Sequence, residues 1–223
     1  MGSKETCRIL VTQGGPYVVY GDVPLKRSEP VLNEADEPVE WSTTEPYGQE
    51  SKYALCRCGR SLKKPYCDGS HKLSPWDSQL TADRSPRASK ETVFEKGDFV
   101  MTDDRPLCAG YAFCDLYGSV WDEMEHADDP EVRVRIAKQV MNCPSSRLAA
   151  RTKGQSQDLE SSTEPEIMTV PNGALRVVGE VKLETEDGFV FEHQNRRTLC
   201  RCGLSKNKPF CDGTHWESDF RAP

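Results

Sequence analysis

A phrase of cysteine and histidine residues that occurs twice constrains this chain of 223 residues more than any other feature. Each copy reads Cys-x-Cys, eight residues, Cys, three residues and His, from Cys56 to His71 and again from Cys200 to His215. Three thiolates and one imidazole are a ligand set for zinc or for an iron–sulfur cluster, because sulfur and imidazole suit those metals. The sequence therefore predicts two metal sites of the same design, here called the first and the second motif.

The one-residue gap between the paired cysteines favours a two-metal core. Tetrahedral zinc sites usually separate paired cysteines by about two to four residues. A one-residue gap brings two thiolates onto the same iron of a larger core. Cys56 with Cys58, and Cys200 with Cys202, therefore favour [2Fe-2S]. A zinc-stabilised structural interaction module remains the alternative.

The run Cys67-Asp-Gly-Ser-His71, with Ser61 and Pro65 before it, resembles the CDGSH iron–sulfur domain of the mitoNEET family. The resemblance implies one [2Fe-2S] cluster in each copy, with two cysteines on one iron and Cys plus His on the other. The implied ligands are Cys56, Cys58, Cys67 and His71 in the first motif and Cys200, Cys202, Cys211 and His215 in the second. The second motif departs from the signature only in Thr214, which keeps the hydroxyl of Ser70.

The residues between the ligands are suited to a tight turn. The Asp68 carboxylate is expected to accept a hydrogen bond from the backbone N–H of Ser70 or His71. Gly69 has no Cβ, so the backbone can approach a cluster closely, and Pro65 limits the conformations of the turn that delivers Cys67. Pro209, Asp212 and Gly213 repeat the arrangement in the second motif.

Basic residues surround both motifs although the chain has a net charge of -7. An oxidised [2Fe-2S] core with three thiolates and a neutral imidazole carries a charge of about -1, and about -2 after reduction, so nearby cations favour the reduced state. A solvated basic loop without effect on the cluster is the alternative. The residues are Arg57, Arg60, Lys63, Lys64 and Lys72 around the first motif, and Arg196, Arg197, Arg201, Lys206 and Lys208 around the second.

Similarity between the two halves extends upstream of the motifs. Gly15–Leu25 aligns with Gly173–Leu183, and the β-branched, glycine-punctuated pattern of each predicts one strand, with a second strand leading into each Cys-x-Cys. The aligned glycines lie 158 positions apart and the first cysteines 144, so the first half holds a 14-residue excess. We assign that excess to a connecting surface loop near Ser28–Gln49.

Each repeat is small, and the resemblance has a consequence for its assembly. MitoNEET relatives with one motif are homodimers that intertwine strands, whereas relatives with two motifs can form the same assembly within one chain. The resemblance thus implies a monomer that is an intramolecular pseudo-dimer. Mutual packing then supplies a core that one repeat cannot build alone, so isolated halves are expected to fold poorly.

A different unit lies between the two copies and contains Cys108, Cys114 and a later Cys143-Pro144. It resembles the divergent, single-cluster ferredoxin-like domains in which Cys-x5-Cys and Cys-Pro-Ser-Gly recur. The match is incomplete, because Gly110 stands where those domains tend to have a histidine and Ser146 replaces the glycine.

Three thiolates leave several states open for this central unit. They can hold a [3Fe-4S] cluster, or a [4Fe-4S] cluster with an outside ligand such as His126 or Asp115. They can also be buried cysteines in a small α+β core, which is the favoured interpretation. Within the unit, Asp129-Pro130 predicts the start of a helix with Val132, Ile136 and Val140 on one stripe, ending near Cys143-Pro144.

The predicted fold class is α+β, with two small β-rich repeats and a ferredoxin-like domain between them. The predicted segments are residues 1–80 for the first CDGSH repeat, 83–151 for the central domain, 152–166 for a linker and 167–223 for the second repeat. The linker is predicted from a run of Gln, Ser, Glu, Lys and Pro without an apolar period.

These features predict a cytoplasmic iron–sulfur protein without a catalytic constellation. An isoelectric point near 5.3 argues against a nucleic-acid partner. No apolar run reaches the roughly 20 residues of a membrane span, and no signal peptide precedes the cysteines. The expected role is one-electron transfer, or labile cluster transfer and redox sensing, with a redox protein or an apo-acceptor of clusters as partner. An electron-relay subunit of an oxidoreductase is a further alternative.

The histidine ligands suggest how a cluster would be released. A ligand imidazole near the surface can be protonated, which weakens its bond to iron, because metal binding competes with the proton. Replacing His71 by Cys is therefore expected to harden the first cluster against acid.

Overall fold

The computed structural model describes residues 6–44, 47–48, 50–155, 158–160 and 162–223. The strands in these ranges are β1 Arg8–Val11, β2 Tyr17–Tyr20, β3 Leu25–Leu32, β4 Pro38–Thr43, β5 Lys52–Leu55, β6 Thr92–Lys96, β7 Phe99–Asp103, β8 Leu148–Thr152, β9 Glu166–Thr169, β10 Leu175–Val178, β11 Lys182–Thr185 and β12 Arg196–Leu199. The α-helices are α1 Val120–Met124 and α2 Pro130–Asn142, and short 3-10 turns cover Ser70–Lys72, Arg87–Ser89, Arg105–Leu107 and Thr214–Glu217.

The first repeat forms a sheet that includes a strand of the second repeat. The strand order is β11-β1-β2-β5. Strand β2 pairs antiparallel with β1, to which a short turn joins it, and with β5, which follows β3 and β4 in the chain. Strand β11 pairs parallel with β1, in a register that places Ile9 opposite Leu183. The parallel pairing joins residues more than 170 positions apart, so it depends on the tertiary structure rather than on a local turn.

The second repeat forms a sheet that includes two strands of the first. The order is β12-β10-β9-β3-β4, and β3 pairs parallel with β9 so that Leu25 lies opposite Ile167. Strands β3 and β11 begin within one residue of aligned positions in the two repeats. The repeats therefore exchange β3 and β11, and the first repeat adds β4 beside β3.

One apolar core draws on both sheets. Tyr17, Leu25, Ile167 and Leu183 are each at most 1 % exposed and belong to the same cluster of buried side chains. Burial of a leucine side chain stabilises a fold by about 1.5–3 kcal/mol relative to exposure. Because Leu25 and Leu183 lie on the two exchanged strands, the exchange itself contributes to the free energy of unfolding.

The prediction of one strand over each aligned segment is wrong. Strand β2 ends at Tyr20, and the chain turns at Gly21 and Asp22, whose φ angles are 94° and 57°, before β3 begins in the other sheet. The second repeat turns in the same way at Gly179, with φ of 74°, between β10 and β11. A left-handed backbone cannot continue a strand, which is why the glycine breaks each segment. The strands predicted before each Cys-x-Cys are confirmed as β5 and β12.

The 14-residue excess in the first repeat is not simply a surface loop. Half of the predicted range, Ser28–Gln49, is strand: β3 and β4 form an antiparallel hairpin. Residues 45–46 and 49 lie outside the described residues. Trp41 on β4 donates its indole N–H to the carbonyl of Asn142 at 2.9 Å, and Asn142 Nδ2 donates back to the β4 backbone at 3.0 Å. The hairpin thus attaches the first repeat to the end of α2.

The central unit is a small α+β arrangement. Strands β6, β7 and β8 form an antiparallel sheet, and α1 and α2 pack on a core that this sheet shares. The predicted helix is confirmed: the Asp129 side chain accepts from the N–H two positions on, and Val132, Ile136 and Val140 are buried. The helix ends immediately before Cys143, as expected. None of the helices in the described residues has the length and apolar character to cross a membrane.

The predicted linker 152–166 begins in the last residue of β8 and ends in the first residue of β9. In its described part, Leu159 donates its N–H to the carbonyl of Ala150 at 2.6 Å, and the Glu160 carboxylate pairs with Arg196. These contacts attach the segment to both neighbours. The four domain boundaries remain predictions.

Candidate metal centres

The Cys-x-Cys of each motif begins directly after a strand, and the rest of the motif folds back along that strand. In the first motif, Cys56 donates its N–H to Pro65 at 2.8 Å, and Cys67 donates its N–H to Ala54 at 2.9 Å. The second motif repeats both bonds at 2.9 Å. This pairing brings the third cysteine next to the first two, although eight residues separate them in sequence.

The predicted role of Asp68 is confirmed. Its carboxylate accepts from the N–H of Ser70 at 3.0 Å, from the Ser70 hydroxyl at 2.6 Å and from the N–H of Leu62 at 2.8 Å. The Ser70 hydroxyl and these backbone donors hold the pKa of Asp68 below its usual range. The Asp212 carboxylate makes the same three kinds of bond in the second motif, with a threonine hydroxyl as donor. The hydroxyl that both motifs retain therefore orients the aspartate.

The glycines after these aspartates are required by backbone conformation. Gly69 and Gly213 have φ angles of 87° and 86°, in the left-handed region that other residues rarely adopt. A Cβ built on Gly69 would meet no other atom of the chain within 4 Å. The backbone angle by itself requires glycine here, and no atom of the described residues occupies the space where a Cβ would lie.

Each motif presents its predicted ligands as two pairs. The sulfurs of Cys56 and Cys58 lie 3.8 Å apart, and Cys67 Sγ lies 3.5 Å from His71 Nδ1. In the second motif the corresponding distances are 3.6 Å and 3.3 Å. A tetrahedral metal with bonds of about 2.3 Å to sulfur and about 2.0–2.1 Å to nitrogen separates two thiolates by about 3.8 Å, and a thiolate from an imidazole nitrogen by about 3.5 Å. Each pair therefore has the spacing of two ligands on one metal atom.

The two pairs of a motif are near each other but do not converge on one point. Within the described ranges, no three His, Cys, Asp or Glu side chains are grouped closely enough to hold a single metal ion. The hydrogen bond to Cys56 raises the pKa of Cys58, and the Cys67 charge raises it further. Since that charge acts between the pairs, they are close enough to belong to one site.

One thiol of each Cys-x-Cys is ready to bind metal at neutral pH. The hydrogen bond from Cys58 lowers the pKa of Cys56 to about 6, with help from backbone N–H groups. Cys202 does the same for Cys200, whose pKa also falls to about 6. The thiolate is the form that binds metals. Each motif therefore offers a preformed anionic sulfur.

The two motifs differ in their access to solvent. Cys67 and His71 are partly exposed, whereas Cys211 is 2 % and His215 3 % exposed. Burial, with the charge of Arg201, lowers the pKa of His215 to about 4. His215 Nδ1 faces Cys211, and its Nε2 is buried and finds no hydrogen-bond partner in the described part of the chain.

The central unit covers the second motif. The Tyr111 ring lies 6.0 Å from the His215 ring, and Trp216 donates its indole N–H to the carbonyl of Ala109 at 3.0 Å. Gly110 lies against the same indole, at a φ of 76°. Trp41 of the β3–β4 hairpin packs on Tyr111 from the other side, at 5.4 Å between rings. These aromatic residues form the cover of the second site.

Sequence reasoning missed this cover. Its signal is the residue after the histidine ligand, which is Lys72 in the first motif and Trp216 in the second. A tryptophan at that position favours contact with another part of the protein over contact with water. Tyr111 carried no comparable signal, because its partner lies more than 100 positions away in the chain.

Half of the basic residues expected around the motifs are buried and do not form a solvated rim; they are Arg57, Arg196, Arg197, Arg201 and Lys208. The Arg57 guanidinium donates to the carbonyls of Gly15, Thr12 and Ser78. The Arg201 guanidinium likewise donates to carbonyl groups, and burial lowers its pKa to about 10.

The two buried arginines of the Cys-x-Cys turns lie close to thiolates. Burial lowers the pKa of Arg57, and the charges of Cys200 and Cys58 act in the opposite direction. The charges of Cys56 and Cys202 oppose the lowering for Arg201 in the same way. A buried cation is stable only beside a compensating negative charge or good hydrogen-bond acceptors. The carbonyl acceptors meet this requirement for both arginines, and an anionic cluster beside them would add to it.

The two Cys-x-Cys turns abut each other. A Cβ on Gly59 would collide with the carbonyl of Cys202, and a Cβ on Gly203 would collide with the carbonyl of Cys58. Tyr17 of the first repeat also donates its hydroxyl to the carbonyl of Cys200 at 2.8 Å. A cleft of about 400 Å³ runs along this junction and is lined by both turns. Only glycine permits this approach of the two motifs.

The three central cysteines meet at one place. Cys108, Cys114 and Cys143 line a single cavity of about 30 Å³. Arg147 donates to Cys108 Sγ at 3.2 Å, and Cys114 lies 3.6 Å from the Asp115 carboxylate. Burial raises the pKa of Cys114 to about 12. The structure thus brings together the residues of the tentative third site.

Two neighbours of the third site explain its departures from the resembled pattern. Ser146, in place of a glycine, has a φ of 49°, the left-handed conformation that a glycine adopts without strain. Its hydroxyl accepts from the N–H of Arg196 at 3.2 Å. Of the two outside ligands considered, Asp115 contacts Cys114, whereas His126 is absent from the described lining of the cavity.

Comparison with known proteins gives one kind of match. A family model described as iron-binding zinc finger, CDGSH type, matches residues 14–72 and 172–216. Each matched stretch contains one complete set of three cysteines and one histidine. No curated protein and no solved structure matches the chain.

Proposed function

We propose that this chain, which belongs to the CDGSH-type iron-binding family and carries two copies of its domain, binds two [2Fe-2S] clusters and acts as a one-electron carrier. The ligands are Cys56, Cys58, Cys67 and His71 for the first cluster and Cys200, Cys202, Cys211 and His215 for the second. The observation that carries the proposal is the division of each set into two pairs, each with the spacing of two ligands on one tetrahedral metal. A single zinc ion would need all four around one point.

A [2Fe-2S] cluster supplies one-electron redox chemistry when it is bound. Arg57 and Arg201 place positive charge beside the thiolates and so stabilise an added electron. Tyr17 holds the Cys200 backbone and keeps water from the junction of the two motifs, since it is fully buried there. Gly59 and Gly203 let the two sites lie together, which favours exchange of electrons between them.

We infer that the chain is a monomer built as an intramolecular pseudo-dimer. The parallel pairings of β1 with β11 and of β3 with β9 support it, because they exchange equivalent strands between the repeats. The reciprocal contacts of Gly59 and Gly203 support it as well, because they relate the two motifs by an approximate two-fold axis. Its partner is then a separate redox protein or an apo-protein that accepts a cluster.

The test is an anaerobic assay of iron, sulfide and zinc, with visible absorption before and after dithionite. Two clusters give about four irons and four sulfides per chain, with bleaching on reduction. The variant Cys56→Ala with Cys58→Ala should lose half of the iron and half of the sulfide. Cys7→Ala, which changes a cysteine outside the motifs, should lose neither. Zinc without sulfide would refute the carrier and favour the structural module.

We also propose a third cluster on Cys108, Cys114 and Cys143, which would make the central unit an electron relay to the second site. The shared cavity supports it, together with the resemblance to single-cluster ferredoxin-like domains. Ala109, next to Cys108, belongs to the same cluster of buried side chains as Cys211, so the two sites are close neighbours. An iron content clearly above four, reduced to four in Cys108→Ala, would support this site. Four irons in both proteins would exclude it.

A further inference from the structure

We propose that the partner docks on the face around the first motif and not on the second, and that the partner is an acidic protein with an apolar centre in its contact surface. The inference deepens the proposed function and rests on it, because it assigns the first site as the place where electrons pass to or from the partner. Electrons from the covered second site would then leave through the first.

The face has an apolar part. Leu62 is 93 % and Leu73 89 % exposed, which is far above the exposure of the other leucines near the motifs. Leu62 lies in the loop between Cys58 and Cys67, and Leu73 follows His71 by two residues. Large apolar side chains beside a functional site mark an interaction surface when polar residues surround them.

The surrounding residues are basic and are not neutralised. The described residues offer no carboxylate that pairs with any of these four side chains: Arg60, Lys63, Lys64 and Lys72. Asp68 is the single acidic residue between Gly59 and Leu73, and its carboxylate already accepts three hydrogen bonds. The face is therefore positive on a chain whose net charge is -7.

One of the cations is held in position. Arg60 donates to the Ser74 hydroxyl and to the carbonyl of Pro75, beyond the histidine ligand. The guanidinium is thereby fixed over the loop that follows the motif. A fixed charge loses less conformational entropy when a partner binds. The positive rim is thus partly preorganised.

The second motif lacks the corresponding face. The residue aligned with Lys72 is Trp216, which is bonded to the central unit, and the residue aligned with Leu73 is Glu217. Lys208, aligned with Lys64, is buried and pairs with Asp77 at 3.3 Å. None of the four cation positions of the first motif carries an unpaired cation here, and Lys206, at the position of Leu62, is the exposed lysine that remains in the loop. With Glu217 added, this rim is less suited to an acidic partner.

Charge complementarity decides the class of partner. A positive rim around an apolar patch accelerates encounter with a negative surface and slows encounter with a positive one. The apolar pair Leu62 and Leu73 then needs an apolar centre opposite, or its burial would desolvate partner carboxylates. A flavodoxin serves as an acidic probe of this kind, and cytochrome c as the basic counterpart.

The test measures binding of fluorescently labelled flavodoxin to the full chain by anisotropy. The double variant Lys63→Glu with Lys72→Glu should weaken binding roughly tenfold or more in low salt, because rim charges control steering and specificity. The matched control Lys206→Glu with Arg221→Glu makes the same change in net charge near the second motif and should change binding less than about twofold. Leu62→Gln should weaken binding about threefold without changing its salt dependence.

Several results would overturn the inference. Equal losses in the two charge variants would mean that net charge, not this face, controls binding. Tighter binding of cytochrome c than of flavodoxin would contradict the charge argument, and so would self-association of the chain that the Lys63→Glu and Lys72→Glu variant abolishes. Binding to anionic phosphatidylserine vesicles in place of flavodoxin would assign the face to a membrane.

The readout separates this inference from the proposed function. Anisotropy reports binding whether or not a cluster is present. Iron and sulfide content is measured separately on the same samples and reports the clusters. A protein with zinc and no sulfide that still binds flavodoxin through Lys63 and Lys72 would refute the electron carrier and leave the docking face. A protein with both clusters and no preference between the variants would refute the docking face alone.

Discussion

The first and second sites share their ligands and spacing but differ in what covers them. His71 is partly exposed between Leu62 and Leu73, whereas His215 lies under Tyr111 and Trp216 and is 3 % exposed. The difference teaches that the motif determines the local geometry of the ligands and the surrounding structure determines their access to water and partners. A duplicated sequence can therefore carry two sites with separate tasks.

The asymmetry has a physical origin in the central unit and the β3–β4 hairpin. Both pack against the second motif, and their aromatic side chains meet there at Tyr111. Among the described residues, His71 has no ring contact of this kind. The central unit and the hairpin, which has no counterpart in the second repeat, together make the two sites unequal.

The largest difference between the first and second sites is expected in acid. The pKa of His215 is lowered from 6.5 to about 4, so its imidazole stays neutral and able to bind metal until the pH falls through about 4. His71 is open to water and has no such cover. At about pH 5 the first cluster should be lost while the second persists, so that about half of the visible absorption decays quickly. Stopped-flow absorption after a pH jump measures both phases.

The matched variants assign the phases. His71→Cys should remove the fast phase, and His215→Cys should leave it unchanged. A single decay of full amplitude in the parent protein would show that burial does not distinguish the two sites.

Removing the cover should make the sites more alike. Tyr111→Ala deletes a ring that is 6 % exposed and contacts His215, which should lower the free energy of unfolding by about 3–5 kcal/mol. It should also accelerate acid loss of the second cluster and not of the first. Urea unfolding and the pH jump measure the two effects. Tyr117→Ala, at a position 67 % exposed in the same unit, should change neither.

Matched substitutions on the two exchanged strands test whether the strands contribute equally to the free energy of unfolding. Leu25→Ala and Leu183→Ala remove side chains that are 1 % and 0 % exposed, one on each exchanged strand. Each should destabilise the protein by about 2–5 kcal/mol, and the two values should agree within about 1 kcal/mol. Chemical denaturation of both variants measures them. Leu32→Ala, 52 % exposed on β3, is the control, and a large inequality between the first two would show that one half folds without the other.

Local features of this protein were predictable because they depend on neighbours in sequence. The bond between Asp68 and Ser70 spans two residues, and helix α2 follows from its Asp129 cap, its apolar stripe and the Cys143-Pro144 stop. The strands before each Cys-x-Cys are predictable for the same reason. Each of these features depends on propensities and hydrogen bonds within about one turn of chain.

Non-local features were not predictable in this way. The aligned segments that read as one strand are divided at Gly21 and Gly179 because each half of the segment belongs to a different sheet. The excess residues of the first repeat form a hairpin that is attached to the central unit through Asn142, about 100 positions from its partner Trp41. The burial of Arg57 and Arg201 likewise depends on carbonyl groups distant in sequence.

By itself, the sequence determined the two ligand sets, the turn that presents them and the α+β character of the chain, because spacing and short-range bonds are encoded where they act. Only the tertiary structure decided that the strands are exchanged, that Cys108, Cys114 and Cys143 share one cavity and that one histidine is covered while the other meets water. The physical reason is burial, because the solvent exposure of a side chain depends on every segment that packs against it. The sequence of a motif does not specify which distant segments those are.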